Sequence, residues 1–299
     1  MDILTIKNLS KSFGEKQVLR GLDLNVPAGS VYGFVGRNGA GKTTAMKSVL
    51  GLLRVDGGEI FVAGEKVIFG QTTTNRHIGY LPDVPEFYPF MTPREYLRLC
   101  GESLSMSSAD IRSRSDMLLE LVGLADEKCR IRGFSRGMKQ RLGIAQALLG
   151  SPKLLICDEP TSALDPIGRK EILDILLSVK DQTTVLFSTH ILSDVERICT
   201  DVALLNDGKI ALGGKVDCLK QAHRDESFTV ETTEKHHAEI LVKTFSNITD
   251  RRKDTLIFSG GEEEFLSVLR FIAENKISVR KAERMEPSLE SLFLEVIAK

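Results

Sequence analysis

Residues 36–43 read Gly36-Arg37-Asn38-Gly39-Ala40-Gly41-Lys42-Thr43, a glycine-rich loop closed by a lysine and a hydroxyl. Glycines let successive backbone N–H groups converge on phosphate oxygens, and a helix that begins at the loop adds a partial positive charge. On this pattern Lys42 reaches the outer phosphates of a nucleoside triphosphate and Thr43 ligates Mg²⁺, with Thr44 next in the same turn. The plain alternative is a chance glycine loop. Its context argues otherwise: SVYGFVG before it has the look of a buried strand, and TTAMKSVLGLL after it has helical spacing that stops at Gly57-Gly58.

Further along, Leu154-Leu155-Ile156-Cys157-Asp158-Glu159-Pro160 carries an apolar strand into two carboxylates. Open α/β sheets place their ligands at the carboxyl ends of strands. Asp158 would hold Mg²⁺ there through water, and Glu159 would polarise a water against the γ-phosphate. An exposed acidic pair capping the next helix is the alternative. His190 ends the similar run TTVLFSTH; it is either a structural histidine or a donor to the γ-phosphate. Ser135, in Phe134-Ser135-Arg136-Gly137-Met138, can cap a helix whose free N–H groups would suit a phosphate. Ser162-Ala163-Leu164-Asp165 alone would be an ordinary turn.

Strand-like segments must position these groups. From Leu4 to Val67, short strands alternate with turns at Phe13-Gly14, Pro27-Ala28-Gly29 and Gly57-Gly58. Thr92-Pro93-Arg94-Glu95 has every part of a helix start, and helical patterning runs on to about Leu149, broken at Gly123 and at Gly133-Phe134-Ser135. Strands and helices then alternate through KLLICDEP, IGRKEILDILLSVK, TTVLFSTH, ILSDVERIC and DVALLND, which implies a parallel sheet wrapped by helices. KIALGGKVDCLKQAH reads as a last strand and a linking helix. Beyond it SFTVETTE, HHAEILVKTF, TLIFSG, GEEEFLSVLRFIAENK and ISVRKAER suggest a small α+β domain of ferredoxin-like kind.

Bulk properties narrow the setting. With 299 residues there is room for one large domain and a small one. A net charge of −1 gives no global attraction to nucleic acid or acidic lipid. The tail from Gln221 to Lys299 has 12 Lys+Arg against 15 Asp+Glu, so it offers no basic patch. No apolar stretch is long enough to span a bilayer, and MDILTIKNLS has no signal-peptide character. Five scattered cysteines, none in a C-x-x-C pair, fit reduced thiols in a cytosol.

In order, these residues resemble the ATP-binding cassette (ABC) family. Its nucleotide-binding domain has a Walker A loop (here GRNGAGKT), a signature helix start of LSGGQ type (FSRGM), a Walker B strand with a catalytic glutamate (LLICDEP), a D-loop (SALD) and a switch histidine (STH). The resemblance covers roughly Leu4 to Asp217. It implies an α/β P-loop NTPase core with an antiparallel β subdomain and an inserted helical subdomain at about 85–150. The implied domains are 1–217 and an accessory domain at 218–299. It also implies Mg²⁺-ATP bound in a head-to-tail dimer, so that Ser135 and Gly137 serve the partner's γ-phosphate, and Asp165 of the D-loop counts among the ATP-binding residues. Phe13 takes the adenine-stacking position, with a core phenylalanine as the alternative. Asp83 stands at the Q-loop position, usually glutamine, where it would reach Mg²⁺ or water as part of the catalytic set. Arg136 and Met138 replace a glycine and a glutamine, and Arg136 must fit without a positive φ.

The ending EPSLESLFLEVIAK and the S-R-G-M variant resemble ATPase subunits of two-component bacterial exporters. The resemblance implies a peripheral protein on the cytoplasmic face of the membrane, paired with itself or a related ATPase and docked on a separate membrane permease. The docking surface would include Asp83 to Arg94, with exposed Phe87, Tyr88 and Phe90 meeting a partner helix; local packing of these rings is the alternative. A soluble cassette acting on DNA or ribosomes usually has two cassettes, coiled-coil arms or zinc cysteines, and none is present. A non-hydrolysing module would not need Glu159 and His190, and a GTPase would carry an N-K-x-D string.

Overall fold

The computed structural model describes residues 1–222, 227–285 and 288–298. The chain opens with a hairpin, β1 (Asp2–Phe13) and β2 (Lys16–Pro27), turning at Gly14. β3 (Val31–Gly36) follows, buried at every residue, then α1 (Lys42–Val49). β4 (Gly57–Val62) and β5 (Glu65–Lys66) return to the hairpin, giving an antiparallel sheet in the order β2-β1-β4-β5. Its register sets Leu4 opposite Val62 and Ile6 opposite Ile60, so one face is apolar throughout.

α1 stops well before the expected Gly57. Gly51 adopts a φ of 68°, and the Gly51 and Leu52 N–H groups bond back to the carbonyls of Ser48 and Lys47. That reciprocal pair closes a helix on a left-handed residue, a conformation that costs glycine little.

β6 (Ile78–Leu81) leads to three helices: α2 (Pro93–Ser103), α3 (Ser108–Leu121) and α4 (Arg136–Leu148). Thr92 and Glu95 form the expected capping box, and α3 closes at Gly123 in the same way as α1. One break was not foreseen, between α2 and α3. There Ser105, not glycine, takes the left-handed conformation (φ 57°), and Ser107 caps α3 through the Asp110 N–H.

β7 (Leu154–Cys157), α5 (Pro166–Ser178), β8 (Thr184–Thr189), α6 (Leu192–Ile198), β9 (Asp201–Asn206) and β10 (Lys209–Lys215) complete a second sheet in the order β10-β9-β3-β8-β7-β6. It is parallel except at β10. Both faces are covered, so β7 and β8 are buried at every position and read as continuous apolar runs rather than alternating ones. One core joins the two sheets and α1: Leu4, Ile6, Phe34, Met46, Ile156 and Leu186 are buried within it.

The chain divides into two compact units. The first is Met1–Val216 and takes in the end of the last helix from Val296; the second is Asp217–Glu295. The second comprises α7 (Val216–Ala222), β11 (Ser227–Thr232), α8 (Lys235–Thr244), β12 (Ile248–Arg252), β13 (Thr255–Ser259), α9 (Glu262–Glu274), β14 (Val279–Arg284) and most of α10 (Leu289–Ala298). From β11 to β14 the order is β-α-β-β-α-β on an antiparallel sheet β12-β13-β11-β14, the ferredoxin-like arrangement. β12 was absent from the sequence expectation. This unit has its own core, with Phe228 stacked on Phe258 at 4.8 Å between centroids. Of the segments read above, His223, Glu286, Pro287 and Lys299 lie outside the described residues.

Candidate nucleotide site

The loop from Gly36 to Thr43 joins the buried end of β3 to α1. All three of its glycines are constrained, Gly39 by a φ of 82°. A Cβ on Gly36 would sit 2.8 Å from the Leu205 carbonyl oxygen; Gly41 has a φ of 110°, and a Cβ there would meet Leu19 Cδ2 at 2.9 Å. Arg37, Asn38 and Gly39 are exposed at the tip, Ala40 is half-buried, and Ala40 N–H closes the turn on the Arg37 carbonyl. Lys42, the first helical residue, is buried, and its Nζ donates to the carbonyls of Gly36 at 2.6 Å and Arg37 at 3.4 Å. Thr43 is exposed and Thr44 half-buried at the mouth of the loop.

β7 delivers the two carboxylates next to β8. Asp158 is buried, and its Oδ1 accepts from Ser188 Oγ at 2.6 Å. The same hydroxyl accepts the Glu159 N–H at 2.9 Å. Glu159 itself has a φ of 48°, in the left-handed region. Its carboxylate bridges two groups: Oε1 lies 3.0 Å from Lys42 Nζ, and Oε2 lies 2.9 Å from His190 Nδ1. A carboxylate can only accept, so the imidazole is the donor in that bond. The structure thus brings Lys42, Asp158, Glu159 and His190 together from three separate elements. The acidic pair is not an exposed helix cap.

Asp83 follows β6. Its Oδ1 accepts from Arg136 Nη2 at 3.2 Å, and its carbonyl accepts from Gln140 Nε2 at 2.6 Å. Partial burial pushes its carboxyl up from the usual range; Arg136 pulls it back, and Asp158 and Glu159 push it further up. Arg136 has no positive φ among the described residues, as the sequence required. Ser135 caps α4, accepting the Met138 N–H at 3.2 Å. A Cβ on Gly137 would find nothing nearer than 3.9 Å, so packing within the chain does not demand glycine there.

Two expected residues stand apart from the Lys42–Glu159 cluster in their contacts. Asp165 caps α5, accepting the Gly168 N–H at 2.9 Å. Phe13 sits at the hairpin end, 50 % exposed, with Lys11 Nζ 5.2 Å from its ring centroid. It is not a core phenylalanine. The aromatic stretch needs a correction: Tyr88 and Phe90 are exposed, but Phe87 is half-buried, edge-on to Tyr96 at 5.0 Å. Beside it opens a cavity of about 470 Å³ walled by Asp83, Pro85, Phe87, Ile131, Arg136 and Lys139.

Sequence reasoning missed Ser188, which ties the Asp158 carboxylate and the Glu159 backbone to β8. The visible signal was a serine inside an otherwise apolar run. It also missed buried Asp194, which accepts from Thr161 Oγ1 at 2.9 Å and Arg169 Nε at 2.6 Å and so anchors the segment after Glu159.

A P-loop ATPase of cassette type is the class that this fold and site define. Residues 19–162 match the family model described as ABC transporter. Over 99 % of both chains, the sequence is 37 % identical to the ABC transporter ATP-binding protein YxlF of Bacillus subtilis (strain 168). It is 35 % identical to the bacitracin transport ATP-binding protein BcrA of Bacillus licheniformis, over 99 % of this chain and 97 % of that one. A solved ATP-binding subunit of an ABC transporter superposes with a TM-score of 0.66 at 32 % identity, covering 74 % of this chain and 92 % of the other. The chain belongs to the ABC transporter family, as an ATP-binding, ATP-hydrolysing subunit. None of these relatives favours the alternative of a cassette acting on DNA or ribosomes.

Proposed function

We propose that this chain is the motor of a two-component exporter, driving a separate membrane permease from the cytoplasmic face. The observation that carries the hydrolytic part is the Glu159 carboxylate held between Lys42 and His190. The bacitracin transport protein that it resembles along its length supports the exporter reading. Among the described residues no helix is long and apolar enough to cross a membrane, which suits a subunit that needs a permease for the crossing. The exposed rings of Tyr88 and Phe90 and the adjacent cavity are the surface that a permease helix would fit.

In this reading Gly36 to Thr44 cradle the triphosphate, Phe13 stacks on adenine, and Lys42 exchanges the loop carbonyls and Glu159 for phosphate oxygens. That exchange frees the Glu159 carboxylate to take a proton from the attacking water, while His190 donates to the γ-phosphate. The Thr43 hydroxyl with Asp158 and Asp83 is an all-oxygen donor set, which fits Mg²⁺. Bound there, Mg²⁺ would neutralise phosphate charge. Ser135 and Gly137 would close over the nucleotide of a second copy, or of a related ATPase, with Asp165 at the shared interface. The open space at Gly137 leaves room for such an approach. Residues 1–217 would form the ATPase domain and 218–299 an accessory one.

Glu159→Gln tests the core of the reading. It should lower ATP turnover at least a hundredfold and trap an ATP-loaded dimer visible by sedimentation. Undiminished turnover would remove Glu159 from its role, and a strictly monomeric ATP-saturated sample would remove the sandwich.

A further inference from the structure

Asp83 and Arg136 are each poorly placed alone. Arg136 puts a cation at the first turn of α4, the positive end of the helix dipole, where an anion is the favoured neighbour. Asp83 puts a third carboxylate within electrostatic reach of Asp158 and Glu159. Their mutual contact at 3.2 Å offsets both placements. Gln140, one turn further along α4, holds the Asp83 carbonyl and so registers the loop against the helix.

The contact is weak by design of its surroundings. The two side chains are 42 % and 46 % exposed, and such pairs bias an equilibrium by no more than about fivefold. A fully buried bridge would resist opening far more strongly. This one can be exchanged for a phosphate contact.

We propose that the Asp83–Arg136 bond is an exchangeable tie. In the open state it holds Arg136 back, and on closure it releases Arg136 to the phosphates of the partner chain's nucleotide while Asp83 turns to its own pocket. One loop would then report the state of a chain's own site to the surface it offers its partner. Arg136 is a nucleotide-binding residue of the partner chain's site in this scheme, Asp83 is the residue that positions it, and the inference rests on the dimer reading above.

The test is ATP-driven dimerisation of the full chain, followed by analytical ultracentrifugation with Glu159→Gln present throughout. Asp83→Asn removes the ion pair but keeps an amide oxygen that can still serve the Mg²⁺ donor set, so it frees the arginine and should lower the ATP concentration needed for dimerisation, by up to about fivefold. Arg136→Gln should raise it, and in that background Asp83→Asn should have no further effect. Arg136→Lys keeps the charge and should preserve the response to Asp83→Asn. An Asp83→Asn effect that persists undiminished beside Arg136→Gln, or one of opposite sign, overturns the tie. If the Glu159→Gln control itself fails to dimerise, the sandwich falls and the tie with it. A control that dimerises while the Asp83 and Arg136 effects simply multiply sinks the tie alone.

Discussion

Ser188 shows how much of the site hangs on a residue with no motif of its own. Its hydroxyl donates to the buried Asp158 carboxylate and accepts from the Glu159 backbone N–H, so one side chain fixes both residues to β8. Ser188→Ala would leave a buried carboxylate oxygen and a backbone N–H without these partners, which costs about 1–3 kcal/mol. Urea denaturation should register that loss, and ATP hydrolysis should become more dependent on added Mg²⁺ as Asp158 loses its orientation. The cluster of Lys42, Glu159 and the glycine loop was otherwise legible because its residue types are so constrained: Gly36 and Gly41 by close contacts, Lys42 and Glu159 by charge. The Asp83–Arg136 contact was not legible. The two lie 53 positions apart, and only the packing of α4 beside β6 brings them together.

Among the elements, those that announce themselves with local chemistry were read correctly. α2 begins where Thr92 and Glu95 said it would, and the buried parallel strands β7 and β8 stood out as unbroken apolar runs. The misses have physical causes. The break before α3 was hidden because Ser105 does the work that glycine usually signals. β12 was hidden because it is a sheet edge whose sequence, ITDRR, carries the charges that keep edges from pairing. Thr92→Ala should destabilise the first unit by about 1 kcal/mol, measured by thermal melting. Glu95 contributes through pH: the Thr92 N–H, then its hydroxyl, hold the Glu95 carboxyl below the usual range. A depressed carboxyl stabilises fully above the unfolded value and loses its effect as pH falls through the folded one. The advantage of the parent over Glu95→Gln should therefore be flat near neutrality and shrink below about pH 4.

Each of the two compact units has a hydrophobic core of its own, and these two cores should fail separately. Phe258 is fully buried, stacked on Phe228 and met edge-on by Phe245. Phe258→Ala should cost the second unit about 3–5 kcal/mol. Hydrogen exchange should then accelerate across β11 to β14 while β3 and α1 keep their protection, and loss of protection in both would deny the cores their independence. A domain has only about 5–15 kcal/mol of net stability to lose. Against that margin the left-handed backbone of Glu159 is a standing liability, since such a conformation in a residue with a Cβ costs on the order of 1 kcal/mol. On the proposed reading, the role of Glu159 in turnover is what offsets that cost. In a lineage that no longer needed the motor, drift toward glycine at position 159 would be among the earliest marks of disuse, and the relic would lose its activity with that backbone strain relieved.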